Sequence, residues 1–144
     1  MEKTKRYKLK PMIYSTNSRY SINSTCEILA HDTYCGYEFC IINWGTHPCA
    51  YIRIPNDNKL YHFYSDVLEN IILCHGGITW ESNHVNGLPK ENKNNKKWLG
   101  WDYGHCCDYS PTINDMGKKW TTEEIFKEIK EVINRLEKYK AELN

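Results

Sequence analysis

The sequence predicts an α+β fold in which an antiparallel sheet is packed by a C-terminal amphipathic helix. Residues 1–55 alternate apolar and polar positions, as half-buried strands do, whereas from Thr121 onward the apolar residues recur with a helical period of 3.6. The length of 144 residues suits one hydrophobic core, since domains commonly hold about 100–150 residues. We therefore expect residues 1–144 to form a single domain with one functional site, folding alone or as a modest oligomer.

Residues 1–44 should supply strands joined by turns. Near the N-terminus, lysine and arginine alternate with Tyr7 and Leu9, which indicates a strand with a charged solvent face. Turns are predicted where glycine, proline, asparagine and other turn residues occur together. The predicted turns are Asn17-Ser18, Cys35-Gly36 and Pro55-Asn56.

The clearest strand runs from Cys49 to Pro55. Successive side chains of a strand point to opposite faces, so its alternate residues divide into two sets. The predicted sets are Ala50, Ile52 and Ile54 on one face, and Tyr51 and Arg53 on the other.

The middle of the chain has weaker patterns. The apolar run from Asp66 to Cys74 is too short for periodicity to separate helix from strand, and we favour a short turn leading into a strand that ends at Cys74. Residues 81–97 are rich in Asn, Lys, Gly and Pro without periodicity, which predicts an exposed loop. Its most polar part runs from Lys93 to Lys97.

A helix is predicted over residues 121–142. Thr121 and Glu124 are spaced for a capping box, in which each side chain bonds the backbone N–H of the other residue. Glu124 with Lys127, and Glu131 with Arg135, should add surface ion pairs. The apolar stripe that would pack on the sheet comprises Ile125, Ile129, Val132, Ile133 and Leu136.

Composition argues against several classes of protein. The net charge of +1 provides no global field that would attract nucleic acid or an anionic membrane. No run approaches the roughly 18 apolar residues of a membrane span, and no apolar run follows the basic N-terminus as in a signal peptide. Seven cysteines, an odd number without an export signal, predict free thiols. We therefore expect a cytoplasmic protein without membrane association.

Two motifs could carry chemistry, and the first is centred on His75. This histidine ends an apolar run and is followed by Gly76 and Gly77, where the backbone can bend sharply or let a ligand approach closely. The alternative is a hairpin or bulge in which His75 is satisfied internally.

The second motif places Asp102, His105 and Asp108 at intervals of three residues, so that a tight turn would direct them to one side. Carboxylates and imidazoles beside aromatic residues occur in metal sites, in acid/base sites and in pockets that hold ribose hydroxyls. The sequence does not distinguish among these three kinds of site. Trp80 and Trp101 adjoin the motifs and could stack on a purine, although core packing is the commoner role of such residues.

Zinc and a cysteine nucleophile are weaker alternatives. His75, His105, Cys106, Cys107 and Asp108 are suitable zinc donors, but their spacing matches no zinc signature. No activating pattern singles out one cysteine as a nucleophile. We therefore expect no metal and no cofactor, and we assign no catalytic residues.

At these motifs the chain resembles a family of uncharacterised proteins encoded by phages and prophages. The shared pattern is a Gly-Tyr-Val-type strand near a proline, a His-Gly-Gly-Leu-Thr-like turn, a Trp-x-Gly-Phe-Asp-x-x-His-x-x-Asp segment and a terminal helix. It corresponds here to Cys49 to Pro55, His75 to Trp80, Trp98 to Asp108 and the helix from Thr121, and it covers roughly residues 45–140. Residues 1–44 lie outside the resemblance, and Ala50 replaces the usual glycine.

The resemblance implies a phage accessory protein, and such proteins often act against host defence. We expect it to bind and sequester a nucleotide-derived signal, with His75, Gly76, Gly77 and His105 near phosphate. Trp80 or Trp101 would then stack on the base, and Asp102 and Asp108 would accept from ribose hydroxyls. One alternative is a hydrolase of nucleotides or phosphoesters, with His105 as general acid/base. Another is an inhibitor that binds a host defence protein through residues 81–97.

A single pocket requires the two motifs to meet. We expect the His75 imidazole to lie within about 12 Å of the Asp102 carboxylate, the reach of one compact ligand. The strand before His75 would pair with the strand that holds Trp98 to Asp102.

Overall fold

The computed structural model describes residues 12–18, 21–86, 88, 97–111 and 113–143. The described chain is an antiparallel sheet packed by a C-terminal helix, so the predicted α+β class is confirmed. The sheet order is β1-β2-β3-β4-β6-β5. The elements are β1 (Met12–Ser18), β2 (Ser21–Tyr34), β3 (Tyr37–Asn43), β4 (Pro48–Ile54), α1 (Ser65–Ile72), β5 (Trp80–Ser82), β6 (Lys97–Asp102) and α2 (Thr122–Glu142).

The first four strands follow one another as hairpins. The turn between β2 and β3 is Cys35-Gly36, as predicted, and both residues have positive φ, 49° and 83°. Two-residue hairpin turns of this type match the twist of the flanking strands. Asn17 and Ser18 lie in β1 itself, and the predicted strand at residues 1–10 falls outside the described residues.

Strand β4 has the two faces that its sequence predicts. Ala50, Ile52 and Ile54 are fully buried in the core between the sheet and α2. On the opposite face, Tyr51 belongs to a smaller apolar cluster, and Arg53 donates to Glu38 at 2.8 Å. The sheet is therefore covered on both faces at its centre.

Helix α2 supplies one wall of the main core. All five residues of the predicted apolar stripe are buried, and Thr121 and Glu124 form the complete capping box. Within the described residues, Glu124 pairs with Lys118 at 2.7 Å and Arg135 donates to the Ile72 carbonyl, in place of the predicted ion pairs along the helix.

The strand predicted before His75 is wrong, because residues Ser65–Ile72 form helix α1. Leu68 and Ile72 are one helical turn apart and both are buried, so two apolar contacts fix the helix on the core. Leu73 has a φ of 49° and ends the helix in a left-handed conformation. The chain therefore approaches His75 from a helix end, and β6 pairs with β5, which follows the glycines.

The loop predicted over residues 81–97 is wrong at both ends. Its first two residues belong to β5 and Lys97 begins β6. Val85 is buried beside Tyr51 and Trp98 on the face of the sheet opposite α2, here called the second face. Residue 87 and residues 89–96, which include most of the Lys93 to Lys97 segment, lie outside the described residues.

Replacing Thr121 with alanine should destabilise the fold by about 1 kcal/mol, the usual cost of losing an N-cap oxygen. Thr121 Oγ1 accepts from the Glu124 N–H at 3.1 Å, and alanine leaves that N–H without this acceptor. Urea unfolding followed by circular dichroism measures the loss. Thr122→Ala, at the first helical position, is the matched control and should change stability by a few tenths of a kcal/mol. Equal effects of the two changes would contradict a capping role.

Candidate functional site

The centre of the site is the carboxylate of Asp108, which is 3% exposed. It accepts hydrogen bonds from His75 Nε2 at 2.7 Å, from Trp120 Nε1 at 2.8 Å and from the His105 backbone N–H at 2.9 Å. These donors come from the turn after α1, the segment before α2 and the loop after β6. One buried acid thus joins three separate parts of the chain.

The hydrogen bonds to Asp108 determine its charge. Burial alone would raise the pKa of this carboxyl, but the bonds from His75, the His105 backbone and Trp120 outweigh burial and hold the pKa below its ordinary value. Asp108 is therefore an anion at neutral pH.

The His75 ring lies in an aromatic enclosure. It stacks on Tyr103 with ring centroids 4.8 Å apart and planes 10° apart, and the Trp120 centroid is 4.9 Å away. Its backbone N–H donates to Glu128 on α2 at 3.3 Å. A quarter of the side chain remains exposed.

The second histidine, His105, sits beside Asp102. Its Nε2 is 3.3 Å from Asp102 Oδ1, and the His105 and His75 ring centroids are 5.6 Å apart. The two motifs therefore meet within the 12 Å expected. Thr79 Oγ1 donates to Asp102 Oδ2 at 3.3 Å, so the residues after the glycines also contact this carboxylate.

Gly76 and Gly77 bend the chain, with φ of 71° and 81°. A Cβ on Gly76 would lie 2.1 Å from His105 Nε2, so the glycine lets the imidazole pack on the backbone. That nitrogen is buried, and no described residue bonds it in hydrogen-bonding geometry. The Gly77 N–H donates to the Cys74 carbonyl at 3.0 Å, so this donor is engaged in the turn.

The two tryptophans selected from the sequence lie on opposite faces of the sheet. Trp101 is 1% exposed in the main core, where its Nε1 donates to Glu128 at 3.0 Å, so it offers no ring face to a ligand. Trp80 packs edge-on against Tyr51 with centroids 5.2 Å apart, on the second face. Neither residue joins the His–Asp cluster as a stacking surface.

Three contributors to the site were not selected from the sequence: Tyr103, Trp120 and Glu128. Burial and the hydrogen bond to Glu128 raise the pKa of the Tyr103 phenol well above its ordinary value, so it remains a neutral donor. One signal could have identified Trp120, because a large aromatic residue directly before the N-cap of α2 sits at the helix entry. Glu128 looks like an ordinary surface position in the helical pattern.

A cavity of about 270 Å³ adjoins the cluster and shares Tyr103 and Trp120 with the His75 enclosure. Lys118 Nζ lies 3.9 Å from the Trp120 ring centroid, and Lys119 Nζ lies 4.4 Å from that of Tyr109. The remaining lining residues are Leu29, Asn43, Thr46 and Pro48. The cavity thus combines aromatic walls with two ammonium groups.

A larger and more open cavity of about 490 Å³ lies beside β5, away from the His–Asp cluster. Its ammonium group belongs to Lys97, which already donates to the carbonyls of Tyr61 and Phe63. The smaller cavity is therefore the better candidate for an anionic ligand.

The described part of the chain has neither a metal-ligating cluster nor a membrane-spanning helix. No three His, Cys, Asp or Glu side chains there converge in a way that could hold a metal ion. Among the same residues, no helix is both long and apolar enough to span a bilayer. Comparison with protein-family models, curated proteins and solved structures finds no match. The site is therefore interpreted from its own geometry.

Asp108→Asn should lower the free energy of unfolding by about 2 kcal/mol, because an amide cannot accept from all the buried donors that now bond the carboxylate. Urea denaturation of the two proteins measures the difference. Asp115→Asn, at an exposed position in the same loop, is the matched control and should be nearly neutral. Equal stabilities for both variants would show that the network contributes little.

The stability difference between the native protein and Asp108→Asn should shrink in acid. A carboxyl whose folded pKa lies below the unfolded value of about 3.9 stabilises the fold above that pH, and the contribution is lost as pH falls through the folded pKa. Glu38, whose pKa is lowered to about 2 by His31 and Arg53, is common to both proteins and cancels. Unfolding curves between pH 6 and acid measure the trend, and a constant difference would contradict it.

Proposed function

We propose that this chain is a phage accessory protein that counters host defence by binding and sequestering a nucleotide-derived signalling molecule in the host cytoplasm. The phage origin and the counter-defence role rest on the motif resemblance. The binding mode rests on the cavity beside Asp108.

The observation that carries the proposal is the pairing of aromatic walls with ammonium groups in a cavity of about 270 Å³. A nucleotide needs a flat surface for its base and cations for its phosphate. Tyr109 and Trp120 supply the first, and Lys119 supplies the second.

The cavity wall is held rigid before any ligand arrives. Trp120 is fixed by its bond to Asp108, and the backbones of Tyr109 and Lys118 are joined by a hydrogen bond of 2.8 Å. A wall that is already ordered loses little conformational entropy on binding, which increases affinity. Tight retention of a ligand, as sequestration requires, is consistent with this construction.

A second candidate is a nucleotide or phosphoester hydrolase, favoured by the His105–Asp102 contact of 3.3 Å. The His105 side chain is 38% exposed and could reach a bound phosphoester. In that mechanism His105 would act as general acid/base and Asp102 would orient its ring.

Native protein purified from phage-infected cells should release an unchanged nucleotide on denaturation, identified by mass spectrometry. Trp120→Phe should lose most of this ligand, because phenylalanine cannot donate to Asp108 and the wall loses its anchor. Trp80→Phe, on the other face of the sheet, is the control and should retain it. Recovery of a cleaved product that disappears in His105→Ala would replace sequestration with hydrolysis, and equal retention by both tryptophan variants would exclude this cavity.

A further inference from the structure

We infer that the ligand is a nucleoside monophosphate unit, with its one base stacked on Tyr109 and its one phosphate bound by Lys119. This inference rests on the proposed function and narrows its ligand class. It follows from the unequal roles of the two neighbouring lysines and from the size of the cavity.

The two lysines differ in their partners. Lys118 Nζ lies 2.7 Å from a Glu124 carboxylate oxygen, and this carboxylate also takes part in the capping box of α2. The positive charge of Lys118 is therefore already balanced by the Glu124 carboxylate, which also caps α2. Lys119 has no carboxylate partner among the residues the structure describes, and its ammonium rests over the Tyr109 ring. Among the described lining residues, the cavity thus has one unbalanced cation, which suits one phosphate group.

The Lys119 ammonium also covers the ring that a base would use. A cation–π contact at an exposed site stabilises less than a charge-assisted hydrogen bond to a phosphate oxygen. An arriving phosphate should therefore draw the ammonium away from the ring. The uncovered face of Tyr109 then becomes available for stacking, so phosphate binding and base binding assist each other.

The volume sets an upper limit on the ligand. About 270 Å³ lies below the roughly 300–1,000 Å³ of sites that enclose drug-sized molecules. One base with its ribose and phosphate fits that scale, whereas a cyclic dinucleotide would leave its second half in solvent. A mononucleotide unit is therefore the class that the cavity can enclose.

Isothermal titration of the full-length protein with AMP, GMP, CMP and UMP tests the inference. At least one monophosphate should bind, and its parent nucleoside should bind tenfold or more weakly, which corresponds to about 1.4 kcal/mol. Cyclic di-AMP and cyclic di-GMP should bind no more tightly than that monophosphate.

The neighbouring lysines supply a matched pair of variants. Lys119→Gln should weaken binding of the monophosphate by about tenfold or more, because it removes the phosphate partner. Lys118→Gln should weaken it by less than about threefold, since that ammonium is held by the Glu124 carboxylate, which is itself fixed by the capping box of α2. Thermal melting checks that both variants fold.

The outcomes separate the two levels of the proposal. Tighter binding of cyclic dinucleotides, or equal losses in the two lysine variants, would overturn the mononucleotide assignment while nucleotide sequestration stands. Failure of every nucleotide to bind, together with protein from infected cells that releases none on denaturation, would overturn both.

Discussion

The hydrogen bonds to the buried Asp108 carboxylate are the interaction on which the site depends. An isolated carboxylate at 3% exposure would be very costly, so its retention requires donors that stay in place. His75, Trp120 and the His105 backbone provide them from three segments. Gly117 allows this closure, because a Cβ there would lie 2.3 Å from the Asp108 backbone. The donors and the acid therefore fix one another.

The hydrogen-bond network around Asp108 also positions the wall of the adjoining cavity. Trp120 belongs to both, since its Nε1 bonds Asp108 while its ring lines the cavity. Two backbone hydrogen bonds join the segment before Trp120 to the loop that holds Asp108. The Tyr109 N–H donates to the Lys118 carbonyl at 2.8 Å, and the Lys118 N–H donates to the Cys107 carbonyl at 3.0 Å. Polar residues that touch no ligand can thus determine where the aromatic walls and ammonium groups stand.

The parts of the structure that the sequence predicts are those set by local pattern. Strand β4 and helix α2 follow from periodicity, and the α2 cap follows from two residues three apart. The segment that forms helix α1 is predicted wrongly as a turn and a strand. Its two buried residues, Leu68 and Ile72, give too short a pattern to distinguish helix from strand. The cavity depends on contacts between distant segments, such as the bond from Trp120 to Asp108, and no spacing in the sequence encodes them.

The surroundings of the two histidines engage one nitrogen of each ring within the network. A general acid or base needs a ring nitrogen that a bound substrate can reach. His75 Nε2 is taken up by Asp108, and the ring is stacked on Tyr103. His105 Nε2 is buried against Gly76, so the nitrogen that faces Asp102 is closed to solvent. Both imidazoles therefore have a nitrogen committed to packing the network, while 38% of the His105 side chain remains exposed beside it.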